Sequence, residues 1–338
     1  MTRFGKTRFG RQILSTVLPA TVLLLGISTT AAHAADKVRI MVGGLEKILY
    51  LPAKLADQLG YYKDEGLDVE LINVAAGSVS ETALLSGTAE AAVGAYEQTI
   101  HIQAKGKYVT EIAQISACPQ EALLVSTKAN VKTPADLKGA TIGVTGFGSF
   151  THFLTMDILA RAGLKPSDAS YLAVGAGNTF ITAMEQDRTQ AGMTQEPTVS
   201  ILIERKDAHI LVDMRTAADT QKALGGDYPG SSIYVRNDWI QSHKDTAAKL
   251  SQAFQRALQY MASHSAEEIA DKMPASYYNG NKALYVASLK TSLPGFTKDG
   301  RMPEDGPKTV IEVLNKFSKD IQGKNIDLSK TYTNEFIK

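Results

Sequence analysis

The sequence predicts an α/β protein built as two lobes, each a mostly parallel sheet flanked by helices, with a cleft between them. Three observations carry that expectation. Strand and helix signals alternate with short connections in two separate sets, 36–115 and 130–214, as repeated β-α-β crossovers require. About 300 residues remain beyond a leader-like N-terminus, more than one comfortable hydrophobic core. Several strand signals also end in glycine turns that run directly into helix starts, as in residues 141–153 (TIGVTGFGSFTHF).

The N-terminus stands apart. Arg3, Lys6, Arg8 and Arg11 form a basic stretch without acidic residues, and residues 13–27 are apolar but broken by polar residues and Pro19. Ala32-His33-Ala34 places small residues at −3 and −1 of a cleavage site. This is the pattern of a Sec-type signal peptide over 1–34, cut after Ala34, and it predicts a periplasmic protein. The apolar stretch is short for a membrane anchor, and the twin-arginine route lacks its Arg-Arg pair. Removing the four basic side chains leaves 304 residues and takes the formal charge from +1 to −3. A weakly acidic chain argues against general nucleic-acid binding, which calls for a basic stripe. The lone Cys118 forms no internal disulfide and excludes a cysteine-rich metal or iron–sulfur site. It reads as a buried structural thiol.

Taken in order, residues 38–42 (VRIMV) read as a first strand, ended by Gly43-Gly44. A helix over 52–59 follows, opened by Pro52 and closed by Gly60. Residues 69–74 (VELINV) form a second strand, and Ala75-Ala76-Gly77 leads into a helix from Ser78 that Gly87 ends. Residues 91–95 (AAVGA) are a third strand, with Tyr96 and Glu97 directly ahead of a helix through Ala104. In the second set, residues 122–126 are a strand, and Thr133-Pro134 supplies the N-cap and first residue of a short helix. A strand over 141–144 precedes a helix over 151–162 closed by Gly163; Asn178 caps the next helix, and 190–193 is a strand. Glu196-Pro197 leads into a helix over 198–204, with strands at 209–214 and 232–236. Residues 216–230, holding Gly225, Gly226, Pro229 and Gly230, read as a flexible return crossing; beyond Trp239 the chain is mostly helical.

The order of "LPAKLADQLGYYKDEGLDVEL", "ALLSGTAEAAVGAY", "KTPADLKGATIGV", "GFGSFTH" and "QEP" resembles the periplasmic solute-binding proteins of ABC importers. The nearest group is the nitrate, sulfonate and taurine type, whose domain is shared with pyrimidine-precursor proteins of thiamine metabolism. The resemblance implies a type II-like periplasmic-binding-protein fold that closes over ligand by hinge motion. It implies a first lobe of 36–119 plus 231–338 and a second of 120–230. It also implies a monomer that holds a small-molecule ligand, needs no cofactor, and works with an ABC permease and its ATPase.

In open parallel sheets ligands collect beyond the carboxyl ends of the strands. Those ends are the loops 43–50, 75–80, 96–97, 146–152, 175–179 and 195–197. Gly44, Leu45 and Gly148 are assigned to the ligand site by that placement. Ser78-Val79-Ser80-Glu81 fits the S-x-x-E capping box, so Ser78 is a structural cap, a ligand contact, or both. The start at Ser149-Phe150-Thr151-His152 has no acidic residue before Asp157, which leaves free N–H groups and the positive dipole end for an acidic ligand group. The alternative there is a plain serine cap beside a surface His152. Tyr96 either meets ligand or is a core tyrosine. Glu97 and Glu196 would repel a bare oxyanion; they suit a ligand that also carries donors, or they serve structure. Asn178 is a cap first and a cleft donor second, while Lys47, Arg215 and Arg236 are candidate counter-charges that more often serve as solvated surface residues. Related sulfonate proteins resemble Trp-Asp/Glu-Pro where this chain has Gln195-Glu196-Pro197, which weakens transfer of their specificity.

The expected function is capture and delivery of a small acid-bearing solute, without catalysis. One alternative is binding of a thiamine pyrimidine precursor, or a pyrimidine-synthase-like enzyme, whose cysteine-rich iron motif a single Cys cannot supply. A periplasmic sensor domain is another.

Overall fold

The computed structural model describes residues 35–278 and 280–338, plus Gly10. The segment 1–34, where a signal peptide is expected, lies outside the described residues, Gly10 excepted. The first half runs β1 (Asp36–Val42), α1 (Leu51–Gln58), α2 (Tyr61–Asp64), β2 (Leu67–Asn73), α3 (Gly77–Leu85), β3 (Ala91–Ala95), α4 (Glu97–Ala104) and β4 (Val109–Gln114). Next come β5 (Glu121–Ser126), β6 (Thr141–Val144), α5 (Phe150–Arg161), β7 (Ser170–Ala173), α6 (Asn178–Glu185), β8 (Ala191–Gln195), α7 (Thr198–Glu204), β9 (Ala208–Met214) and α8 (Ala217–Leu224). The chain returns through β10 (Ser231–Arg236) and ends in α9 (Asn237–Ser242), α10 (Lys244–Ser263), α11 (Ala266–Lys272), α12 (Lys282–Ser292) and α13 (Gly306–Phe317).

Two five-stranded sheets result, ordered β2-β1-β3-β10-β4 and β7-β6-β8-β5-β9. The orders correspond strand for strand. In each sheet β1 or β6 pairs in parallel with its neighbours, and one strand delivered from the other half (β10 or β5) is inserted antiparallel. The sheets are therefore mixed. Val38, Ile40 and Val42 of β1 alternate into the core, whereas every residue of β3 is buried. α10 lays Leu250, Phe254 and Leu258 into the first core, each fully buried side chain worth about 2 kcal/mol.

Several expectations needed revision. The strands β4 and β7 carried no clear sequence signal. β4 is buried along its whole length, including Glu111 and Gln114, so it shows no polar alternation. The supposed flexible crossing 216–230 contains α8, whose N-cap Thr216 accepts from Asp219 N–H at 3.1 Å and which Gly225 closes at φ 83°. The Ser78–Glu81 capping box does not form, because the N-cap of α3 is Ala76, two residues ahead of Ser78. Asn178 is likewise the first residue of α6 rather than its cap, which is Gly177. Thr133 and Asp136 do form a reciprocal capping box, around a 3₁₀ turn.

The two passages between the sheets lie against each other. Gly230 N–H donates to Ser116 O at 3.0 Å, and Ser231 N–H donates to Ser116 Oγ at 2.7 Å. A Cβ on Gly230 would sit 2.2 Å from Cys118 O, so only glycine fits. Cys118 is buried there, its thiol pushed up to about 12 by burial. α13, which the sequence assigned to the first lobe, packs Val310, Val313 and Leu314 into the cluster holding Leu154 and Ile158 of α5.

Candidate functional site

The carboxyl ends of the strands from both sheets meet at one junction. A Cβ on Gly43, just after β1, would lie 2.8 Å from Gly77 N at the start of α3, and one on Gly146, after β6, would lie 3.0 Å from Ala76 Cβ. The starts of α3 and α5 thus face each other across the two halves. Neither first turn carries an acidic side chain. Two positive dipole ends turned toward one another favour negative charge between them.

The turn before α5 is organised differently from the sequence expectation. Ser149 and Thr151 are buried and bonded inward: Ser149 Oγ donates to Gly146 O at 2.6 Å, Thr145 N–H donates to Thr151 Oγ1 at 2.9 Å, and the Ser149 and Thr151 hydroxyls are 2.9 Å apart. Their hydroxyls shape the turn, and Ser149 sits at the N-cap position without bonding the helix backbone by its side chain. Gly148, at φ 71°, donates its N–H to His152 Nδ1 at 3.1 Å. The His152 ring lies edge-on to Tyr171 and Phe147, and burial lowers its pKa. Phe153 N–H is the first to bond back, to Ser149 O. The preceding N–H groups of Phe150, Thr151 and His152 have no intrahelical acceptor.

Other assigned residues are engaged elsewhere. Tyr96 is fully buried with its hydroxyl 2.7 Å from Thr331 Oγ1, the core alternative. Glu97 accepts from Tyr228 OH at 2.5 Å and faces a cavity of about 20 Å3 that Asp157 also lines; burial pushes the two carboxyls up to about 8 and about 6. Glu196 accepts from Arg215 Nη1 at 2.7 Å and from Ser200 N–H at 3.0 Å. Arg215, far from solvated, also grips Asp213 at 2.7 Å. Arg236 donates to the carbonyls of Leu84, in the last turn of α3, and of Ala89 beyond that helix. Asn178 is exposed on the rim, lining a groove of about 310 Å3 between α6–α7 and α12. Leu45 N–H donates to Asn73 Oδ1 at 2.9 Å.

The junction holds a set that the sequence did not bring together, and one member of it, Glu121, that the sequence did not single out. Gly44, at φ 111°, leaves the space over which the Lys47 stem folds, with Lys47 Cε 2.5 Å from where a Cβ would be. Lys47 is only 4 % exposed, and among the described residues it makes no ion pair. Ile48 N–H donates to Glu196 O at 3.1 Å, which seats this loop on the end of β8. Glu121 and Gln195 stand opposite each other in the β5–β8 ladder, 3 % and 1 % exposed. Glu121 Oε2 and both amide atoms of Gln195 have no hydrogen-bond partner. Burial pushes the Glu121 carboxyl up and the Lys47 ammonium down, each partly held back by the other's charge. The signal available in sequence was position alone: Lys47 follows Gly43-Gly44, and Gln195 replaces an aromatic residue.

A family model described as NMT1/THI5 like matches residues 50–268. A solved structure from Bordetella bronchiseptica RB50 is 38% identical, with a TM-score of 0.86, covering 89% of this chain and 95% of that one. The alkanesulfonate-binding protein SsuA from Xanthomonas axonopodis pv. citri, bound to MOPS, superimposes with a TM-score of 0.71 over 88% of this chain and 98% of its own, at 17% identity. That last likeness is one of fold. The 4-amino-5-hydroxymethyl-2-methylpyrimidine phosphate synthase THI11 of Saccharomyces cerevisiae is 23% identical over 68% of each chain.

Proposed function

This chain belongs to the NMT1/THI5-like family, and on that footing we propose that it is the substrate-binding component of an ABC importer, exported to the periplasm. It captures a small acid-bearing organic solute between its halves and delivers it to a membrane permease driven by an ATPase. The observation that carries this reading is the junction itself, where two helix starts without acidic first-turn residues face each other at the strand ends. Those N–H groups and dipole ends suit the ligand's acidic group. The ligand contacts both halves, so it stabilises the closed state.

The pyrimidine-synthase reading has less support. Among the described residues no three His, Cys, Asp or Glu side chains gather as a metal site. The one Cys in the sequence is buried against Arg215 O, with a thiol whose raised pKa disfavours the reactive thiolate.

The test is a thermal-shift screen of residues 35–338 against nitrate, sulfonates, carboxylates and pyrimidine precursors, since a ligand that binds only the folded state raises the melting point. Acidic compounds should stabilise the protein and uncharged analogues should not. Ser78→Asp places a carboxylate at the α3 start and should weaken binding of any acidic hit by about ten-fold or more. Stabilisation by uncharged compounds alone would sink the proposal.

A further inference from the structure

We propose that Lys47, Glu121 and Gln195 are the specificity-determining set of this junction, and that they select a small organic acid that also carries N–H donors, an amino or amido acid, over a bare oxyanion. This rests on the solute-binding reading above and goes further by naming the ligand's second functional group.

The three side chains come from both halves. Lys47 follows β1 of the first sheet, whereas Glu121 and Gln195 are paired residues of the second. Directly opposed residues of a ladder put their side chains on one face, with Cβ atoms about 5 Å apart. The Ile48–Glu196 hydrogen bond brings the Lys47 loop to that spot. All three are more than nine-tenths buried.

The hydrogen-bonding inventory then restricts the occupant. Lys47 Nζ and Gln195 Nε2 only donate; Gln195 Oε1 only accepts, and an ionised Glu121 only accepts. A bare oxyanion would satisfy the two donors, leave Gln195 Oε1 unmet, and approach a carboxylate. Leaving such buried groups unpaired is costly. A ligand with an acid at one end and an N–H at the other satisfies all of them, and its charges match one cation and one carboxylate. The sequence pointed to the same ligand class through Glu97 and Glu196. Those carboxylates are occupied by Tyr228 and Arg215, and Glu121 takes their place in the argument.

The experiment is calorimetric titration of residues 35–338 with four matched pairs: taurine and ethanesulfonate, β-alanine and propionate, glycine and acetate, p-aminobenzoate and benzoate. At least one amine-bearing member should bind about ten-fold or more tightly than its partner, because a site built to bond a polar group rejects analogues that lack it. Glu121→Gln should reduce that ratio to about three-fold or less, and Gln195→Leu should do the same should the first variant fold poorly. Melting curves without ligand check that each variant folds. Lys47→Met removes the one buried cation of the set and should abolish binding of every acid in the panel. A lysine outside the ligand site would leave those affinities unchanged. Equal affinity within every pair, or undiminished binding by a folded Lys47→Met, overturns this inference and leaves solute capture standing. If none of the eight compounds binds, the acid-binding reading falls and this inference with it.

Discussion

At the cleft-side end of the second sheet two carboxylates are buried close together. Glu196, 2 % exposed, holds the Arg215 guanidinium and the Ser200 N–H, and Arg215 is gripped in turn by Asp213. Glu121, 3 % exposed, has one oxygen without a partner and faces an amide with neither end engaged. The two regions have the same burial and opposite bookkeeping of hydrogen bonds. A carboxylate with its valences filled is architecture. One left open at a junction between two halves marks where something else is meant to fit.

Breaking the filled region should have the largest effect. Arg215→Met leaves Glu196 and Asp213 without their cation and should cost about 3 kcal/mol in urea unfolding. A loss well under 1 kcal/mol would show that the network is dispensable. Next comes a pH effect at a third carboxylate. Burial lifts Glu97 to about 8, above its unfolded-chain value of about 4.3. The folded state therefore holds this proton more tightly, and the associated stability is complete below about pH 4 and lost as pH rises through the folded value. Melting points should fall between about pH 5 and about pH 9, and Glu97→Gln should flatten that fall by roughly 2 kcal/mol. An unchanged slope would assign it to other groups.

Smaller and opposite in sign, Glu121→Gln should raise the stability of the ligand-free protein at neutral pH by about 1 kcal/mol. A loss of that size would place Glu121 with the structural carboxylates. Smallest of all, Arg205→Ala removes an exposed pair with Glu185 at 2.8 Å and should change stability by about 0.5 kcal/mol or less. That surface control sets the scale for the other three.

Much of the fold was legible because its punctuation is local. The strand 91–95, the helix through Ala104, the strand 141–144 and the helix 198–204 match β3, α4, β6 and α7 in the structure. Small or β-branched strands, and helices opened by a strand end or a proline, specify them from neighbouring residues alone. What failed was whatever depends on distant partners. β4 hides Glu111 and Gln114 in a buried strand, so its composition does not look like one. Glu97 does follow a strand as read, but its partner Tyr228 is 131 positions away. Lys47 stood between counter-charge and solvated cation because nothing in sequence shows that the bare backbone of Gly44 lets its stem fold inward.

The contact of Ser116 with Gly230 and Ser231 has a mechanical consequence. The outgoing and returning chain segments are tied edge to edge, with no room even for a methyl group between them. They act as one ribbon instead of two separate threads. Any change in the angle between the sheets must bend both at the same height, which confines the movement to rotation about a single line and resists sideways shear.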